Sequence, residues 1–366
     1  MTKPLFDKHT NFVVKQENPF NGGPPPKLLN RSHTTPTDLF FVRSHGDVPE
    51  VDVNSYRLEI NGRVAKVLSL SLDEIKNNFE HVTISATLQC AGNRREELMA
   101  VKPILKELKW GVDAISHAVW AGVRLRDVLS AAGVESEADS HLHIEFGGLD
   151  TTERLNKRFN FGGSIPLSKG FCSEVILAYE MNGEPLPPVH GFPLRAIVPG
   201  YIGARSVKWL DRITIQDEPS QNYFQRHAYR LFASDIDPEN VKWEEGVMLG
   251  EMNVTSVICS HQENEEVDSG TVTIQGYAIA GGGREITRVD VSCDCGATWI
   301  QAELLKDSSW AWTLWKASVE LKPGKHQLAV RAMDTAINTQ PENISQVWNF
   351  KGYMNNAWHR VNIEVK

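Results

Sequence analysis

Apolar and polar residues alternate with a period of two in several short stretches, and most of these end at a glycine or an asparagine. Val82, Ile84, Ala86, Leu88 and Cys90 interleave with Thr83, Ser85, Thr87 and Gln89, which predicts a strand that breaks at Gly92-Asn93. Tyr56, Leu58 and Ile60 predict another strand, closed by the turn pair Asn61-Gly62. Leu142, Ile144 and Phe146 alternate with His141, His143 and Glu145, so both histidines are expected on the wet face of a strand. Residues 175–178 are continuously apolar, the pattern of a buried strand, and deliver Tyr179 at its end. Two helices are predicted. Ser71-Leu72-Asp73-Glu74 fits a capping box, and 124–132 runs to a glycine stop at Gly133.

The remaining segments set the domain plan. Residues 1–37 are polar and proline-rich, which predicts an extended segment lying over the surface. Periodicity fades over 217–250, which reads as a connector. Beyond it, strands are predicted near 254–259, 271–278, 288–293, 312–319, 326–333 and 347–350, the pattern of an immunoglobulin-like sandwich. The expected class is α+β, with a mixed α/β domain over 38–245 and an all-β domain over 246–366.

Composition narrows the function classes. The 366 residues are 41% hydrophobic and 23% charged, ordinary for a soluble protein. A formal charge of -8 argues against a nucleic-acid partner. No apolar run is long enough for a membrane span. The first residues lack an apolar signal core and the last four are not a peroxisomal address, so a soluble cytoplasmic protein is expected. Five cysteines, an odd and sparse set, argue against a disulfide framework, and Cys293-Asp294-Cys295 is spaced for a strand and turn rather than a zinc knuckle.

The candidate chemistry is cationic. Cys90 precedes Arg94 and Arg95 closely, and nearby positive charge favours thiolate. A buried cysteine followed by surface arginines fits the segment equally well. Arg43 and His45, two apart after Phe40-Phe41-Val42, share a side of an extended chain. Arg195, Arg205 and Lys208 lie among the turn glycines Gly200 and Gly203, a pattern suited to an anion nest. Asp150, Tyr179 and His190 fall at strand ends and loops, where sites are usually built. Cys90 is then either a soft ligand for a metal cofactor with a phosphate tail or a nucleophile with His45 or His190 as base. No acylating motif surrounds it.

Leu88-Gln89-Cys90-Ala91-Gly92-Asn93-Arg94-Arg95 resembles the cofactor-binding motif of the sulfite oxidase family. Phe41-Val42-Arg43-Ser44-His45 resembles its upstream motif, with Ser44 where asparagine is usual. Residues 177–183, 190–195 and 203–209 also match, as do 276–278, 281–284, 310–312, 340–343 and 358–360. The resemblance implies a molybdopterin domain followed by an immunoglobulin-like dimerisation domain, hence a homodimer. It implies molybdenum held by the dithiolene of a pyranopterin and by Cys90. Phe41, Arg43, His45, Asp150, His190, Arg195, Arg205, Ser206, Val207 and Lys208 would bind the cofactor. Arg43, Arg95, Trp110 and Tyr179 would form the anion pocket beside Cys90. Thr313 stands where animal members carry an arginine, which implies a weaker pocket. The implied activity is oxidation of sulfite, or a similar small oxyanion, to sulfate. Two electrons would pass to oxygen or an external acceptor, as in the haem-free plant type, with neither haem nor flavin. A nitrate-reductase-type core and a non-catalytic molybdenum-cofactor-binding protein are the alternatives.

Overall fold

In a computed structural model that describes residues 5–135 and 141–366, two five-stranded sheets carry the first half of the chain. One sheet orders Glu184–Pro185, Ile176–Met181, Ile115–Arg124 and His81–Gln89, all antiparallel, with Arg195–Ile197 also paired to Ile176–Met181. The other orders Leu68–Leu70, Leu58–Gly62, Leu210–Gln216, His143–Arg154 and Lys157–Pro166. Its Leu58–Gly62 and Leu210–Gln216 strands run parallel. The predicted capping box is present: Ser71 Oγ accepts from the Glu74 amide at 3.1 Å, and Glu74 Oε2 accepts from the Ser71 amide at 2.8 Å. That helix, Leu72–Asn78, buries Leu72 and Ile75, three residues apart on one face. The second helix spans Leu125–Ala131 and buries Leu125, Val128 and Leu129.

The second half is a sandwich. Thr255–Ile258, Gly270–Ile279, Thr313–Leu321 and Glu303–Leu305 form its four-stranded sheet. Glu265–Val267, His359–Val365, Gly324–Asp334, Ile286–Ser292 and Ile300–Gln301 form the five-stranded one. Val289, Val330, Trp315 and Val361 are among the residues that fill the space between. The α+β class, a mixed α/β domain followed by a β-sandwich, therefore stands. One predicted strand does not form. Val347 closes a short turn, Ile344–Val347, and the following Trp348 and Phe350 bury against Leu98 and Ile104 of the first half. An apolar run reports burial, and here the burial belongs to a crossing segment rather than a strand.

The N-terminal segment is also less superficial than its composition suggests. Val13–Gln16 pairs with Asn21–Gly23, and Lys8, Phe12, Phe20 and Asn21 are buried. Asn21 repays its burial with hydrogen bonds: its amide donates to Ser44 O at 3.1 Å, and its Oδ1 accepts from the Ser44 amide at 2.8 Å. The two halves share one apolar cluster, in which Val257, Tyr277 and Trp312 pack with Leu125, Ile144 and Val207. Polar contacts tie the same seam, including the Thr87 hydroxyl accepting from the Trp312 amide at 2.8 Å. Among the described residues, no helix is long and apolar enough to cross a membrane.

Candidate active site

Cys90 sits one residue beyond the end of the strand His81–Gln89, with 5% of its surface exposed. Its amide donates to Ala114 O at 2.9 Å, the last rung against the neighbouring strand. The chain then folds back: the Asn93 amide donates to Cys90 O at 3.0 Å, and the Gly92 amide points to Cys90 Sγ at 3.4 Å. A Cβ at position 92 would meet the Arg95 guanidinium at 2.4 Å, so a larger residue there would displace that side chain. Asn93 locks the turn. Its Oδ1 accepts from the Ala114 amide at 3.0 Å, and its Nδ2 donates to Tyr277 Oη, at 2.9 Å, in the sandwich.

The thiol opens into a cavity. Phe40, Phe41, Arg43, His45 and Leu88 line one part of it; Asp150, His190, Arg195, Ser206 and Lys208 line another. Lys208 Nζ donates to Ser44 Oγ at 2.8 Å and to Val189 O at 3.1 Å. Arg195 donates from its two Nη atoms to His190 O at 2.8 Å and Ser206 O at 3.2 Å. Lys8 arrives from the N-terminal segment, donating to Thr37 O and Phe40 O, each at 2.9 Å, and facing His190 Nε2 at 2.8 Å.

The charges in this cavity do not balance. Burial lowers the Arg195 pKa to about 9 and that of Lys8 to about 7. Lys208 is held well below the ordinary lysine value by burial and by Arg195, with Asp150 opposing. Burial lifts the Asp150 carboxyl to about 6, against the pull of Lys208. Burial and the surrounding cations keep His45 and His190 neutral. Among the described residues, Asp150 Oδ1 and Arg195 Nε are buried without a hydrogen-bond partner. Buried cations in excess over carboxylates, with a free donor among them, are costly unless an anion completes the set. A phosphate-bearing cofactor with a soft metal for Cys90 fits that requirement.

A second cavity adjoins the first and shares Arg43 and His45 with it. Lys106, Arg154 and Lys351 add positive charge to this vestibule, and Glu107 adds a carboxylate. Tyr229 stands at the junction. Its hydroxyl lies 2.9 Å from His45 Nε2, and its ring is 5.3 Å from Tyr353 of the vestibule wall. His45 is stacked on Phe161, with ring centroids 4.7 Å apart. Burial pushes the Tyr229 phenol up, so it stays protonated at neutral pH.

The cavity collects most of the residues singled out in the sequence, but not all. Phe41, Arg43, His45, Cys90, Asp150, His190, Arg195, Ser206 and Lys208 line it. Tyr179 does not. Along Ile176–Met181, Ile176 and Ala178 face the apolar cluster that holds Cys90, so Tyr179 faces the opposite way, its ring under Lys76 Nζ at 4.9 Å. Trp110 is fully buried in the Cys90 cluster, in the wall rather than the lumen. Arg95 is spent on the C-terminal segment. It donates to Gly352 O at 3.1 Å and Leu108 O at 2.9 Å, stacks on Tyr353, and meets Glu107 at 3.7 Å. Arg205 donates away from the cavity to Leu249 O at 2.6 Å, and the Val207 side chain packs in the shared core. Thr313 pairs with Ala278 in the sandwich and lines a different cavity, with Arg284 and Trp310. The cation that the second half brings to the vestibule is Lys351.

Tyr229, Lys8 and Lys351 were not singled out in the sequence. Tyr229 and Lys8 lie in segments read as connector and tail, and Lys351 follows residues read as a strand. Tyr229 follows a π-helical turn, Phe224–Ala228, whose irregularity erased the periodic signal. The only hint was the aromatic density of Tyr223, Phe224 and Tyr229 in an otherwise polar stretch.

Residues 45–224 match a protein family described as an oxidoreductase molybdopterin binding domain, and residues 247–366 match a Mo-co oxidoreductase dimerisation domain. The chain is 44% identical over 368 residues to the mitochondrial sulfite oxidase of Homo sapiens, a match covering 98% of this chain and 66% of that one. It is 39% identical over 373 residues to the sulfite oxidase of Arabidopsis thaliana, covering 97% of this chain and 94% of that one. This chain thus spans just under two thirds of the human relative and nearly all of the plant one. The crystal structure of the sulfane dehydrogenase SoxCD from Paracoccus pantotrophus superposes with a TM-score of 0.81 at 26% identity, covering 98% of this chain and 90% of that one.

Proposed function

The chain belongs to the sulfite oxidase family of molybdopterin oxidoreductases, and on that footing we propose that it oxidises sulfite to sulfate, passing two electrons to oxygen or an external acceptor. One observation carries the reading. The cavity that presents Cys90 to a cofactor shares Arg43 and His45 with a second cavity walled by cations.

Cys90 is the thiolate ligand for molybdenum in this reading. Arg195, Lys208, Ser206 and Asp150 hold the phosphate and polar edges of the pterin, with His190 neutral between Lys8 and Arg195. When bound, the cofactor supplies the two-electron redox change and the transferable oxygen. The protein does the rest. Lys106, Arg154 and Lys351 draw a small oxyanion inward by their field. Arg43, common to both cavities, orients it toward Cys90, and its guanidinium is itself fixed by Asn21 Oδ1 at 3.3 Å. Tyr229 and neutral His45 offer the hydrogen-bonding pair at the junction. Aromatic residues Phe161, Phe224 and Tyr353 limit water there, which strengthens each of these contacts. The sandwich serves as the homodimerisation surface, and sedimentation as a monomer at micromolar concentration would count against that part.

The deciding assay uses molybdenum-loaded protein. Sulfite-dependent reduction of ferricyanide or oxygen is expected, in excess of viologen-driven nitrate reduction. Cys90→Ser is expected to abolish turnover and leave the melting transition in place. Loaded protein that does not turn over sulfite would sink the reading.

A further inference from the structure

Among the described residues that line the vestibule, Glu107 is the single carboxylate, facing Arg43, Lys106, Arg154 and Lys351. It is not a bystander on the rim. Its Oε1 is ion-paired with Lys351 Nζ, and its Oε2 lies 3.7 Å from Arg95 Nη1. Only 17% of its side chain is exposed. The two cations it holds come from different elements. Arg95 opens the helix Arg95–Val101 just after the Cys90 turn, and Lys351 comes from the C-terminal crossing segment. Both also lie over the Tyr353 ring, at 5.1 and 5.8 Å. Burial is the main cause that raises the Tyr229 and Tyr353 phenols, and the Glu107 carboxylate adds to both, which places its charge close to the junction of the two cavities.

A carboxylate has the charge and the oxygen geometry of an oxyanion ligand, and it sits where a cation cluster would otherwise receive one. We propose that Glu107 is an internal counter-anion of the vestibule: it occupies Lys351 and Arg95 until a small oxyanion displaces it, and so sets how tightly that anion is held. The inference rests on the vestibule being the oxyanion site of the proposed function. A dianion entering this space gains the cations but meets Glu107 as a like charge, and the repulsion grows with the charge on the ligand. Sulfate, doubly charged at neutral pH, is therefore held loosely and leaves readily, and Glu107 acts as a specificity-determining residue rather than a catalytic one. A purely structural role, in which Glu107 only fastens the C-terminal segment, predicts lost stability and no gain in anion affinity.

The test is sulfate binding to the cofactor-loaded protein by titration calorimetry at fixed ionic strength, run beside inhibition of sulfite turnover by sulfate. Glu107→Gln is expected to bind sulfate about tenfold more tightly, with the inhibition constant falling by the same factor. Glu107→Asp, which keeps the charge, should stay within about twofold of the parent protein. Lys351→Met removes a cation and should weaken sulfate binding about tenfold, a result that does not depend on how the Glu107 variant folds. Unchanged or weaker binding in a folded Glu107→Gln protein overturns the inference alone, provided sulfite is still turned over. Unchanged binding in Lys351→Met overturns it as well. Absence of sulfate binding in the parent protein, together with absence of sulfite turnover, overturns both this inference and the function on which it rests.

Discussion

Tyr229 and His45 meet at 2.9 Å, joining an irregular stretch after the second sheet to the segment that carries Arg43. The contact is buried, and the histidine is held neutral by burial and by Arg43, Arg154 and Lys208. Tyr229 is the tyrosine at the junction of the two cavities, and Tyr179 is not. Tyr229→Phe is expected to lower kcat/KM for sulfite by about tenfold to a hundredfold with molybdenum content unchanged, since a hydrogen bond to a charged group is worth about 1.5–3 kcal/mol. Tyr179→Phe should stay within about twofold. Steady-state kinetics beside metal analysis decide the matter, and the reverse ordering would return the role to Tyr179.

The uncompensated cations predict an anion effect in the cofactor-free chain. Inorganic phosphate at about ten times its Kd stabilises by about 1.4 kcal/mol, or about 2 °C in Tm for a chain of this size. Thermal melts in phosphate, against chloride of equal ionic strength, should show that shift. Arg195→Met should lose it. An equal shift in parent and variant would move the anion site elsewhere.

Acid should destabilise the cofactor-free chain through its two buried histidines. His45 and His190 have folded pKa values depressed below 6.5, so the stability they contribute is present above that value and lost as pH falls below it. Each adds up to about 1.4 kcal/mol per pH unit. Asp150 acts in the opposite sense. Its folded pKa is raised from 3.8 to about 6, so its contribution is present at low pH and lost as pH rises toward 6. Asp150→Asn removes that opposing effect and should make the acid loss steeper between about pH 4 and pH 6. Urea unfolding at a series of pH values measures both slopes, and identical slopes would refute the assignment for Asp150.

Arg94 and Arg95 are adjacent in the chain yet work in different places. Arg94 is fully buried, grips both Glu97 carboxylate oxygens at 2.7 Å, and donates to Ala357 O at 2.7 Å. Removing one partner of a buried pair costs about 3–5 kcal/mol. The Glu97 side chain is 29% exposed, so Glu97→Ala should cost less, about 2–3 kcal/mol. Because Arg94 also donates to Ala357 O and Glu97 lies 4.0 Å from His359 of the sandwich, the loss should appear in the cooperative transition of the whole chain. Calorimetry showing separate, unshifted transitions for the two halves would contradict this.

Much of the site was written in the sequence. Cys90, Arg43, His45, His190, Arg195, Ser206 and Lys208 sit in short motifs at the ends of periodic stretches, and strand ends have few places to go. Periodicity also marked parts of His81–Gln89, Leu58–Gly62, His143–Arg154 and Ile176–Met181 and most of the sandwich, but not the strands Ile115–Arg124, Lys157–Pro166 and Leu210–Gln216 that complete the two sheets of the first half. Orientation was less legible. Tyr179 and Ala178 differ by one residue and hence by one face of a sheet, and which face meets the cavity depends on what packs against it. Tyr229, Lys8 and Lys351 reach the site from segments without periodicity, 170 residues and more from one another or from Cys90 in some cases. The fate of Arg95 was decided by the C-terminal segment that covers it. The sequence by itself determined which local turns form and which side chains carry charge, because those depend on neighbours within a few residues. The tertiary structure decided which of those charges share a cavity and which are already neutralised, because that depends on contacts between remote parts of the chain.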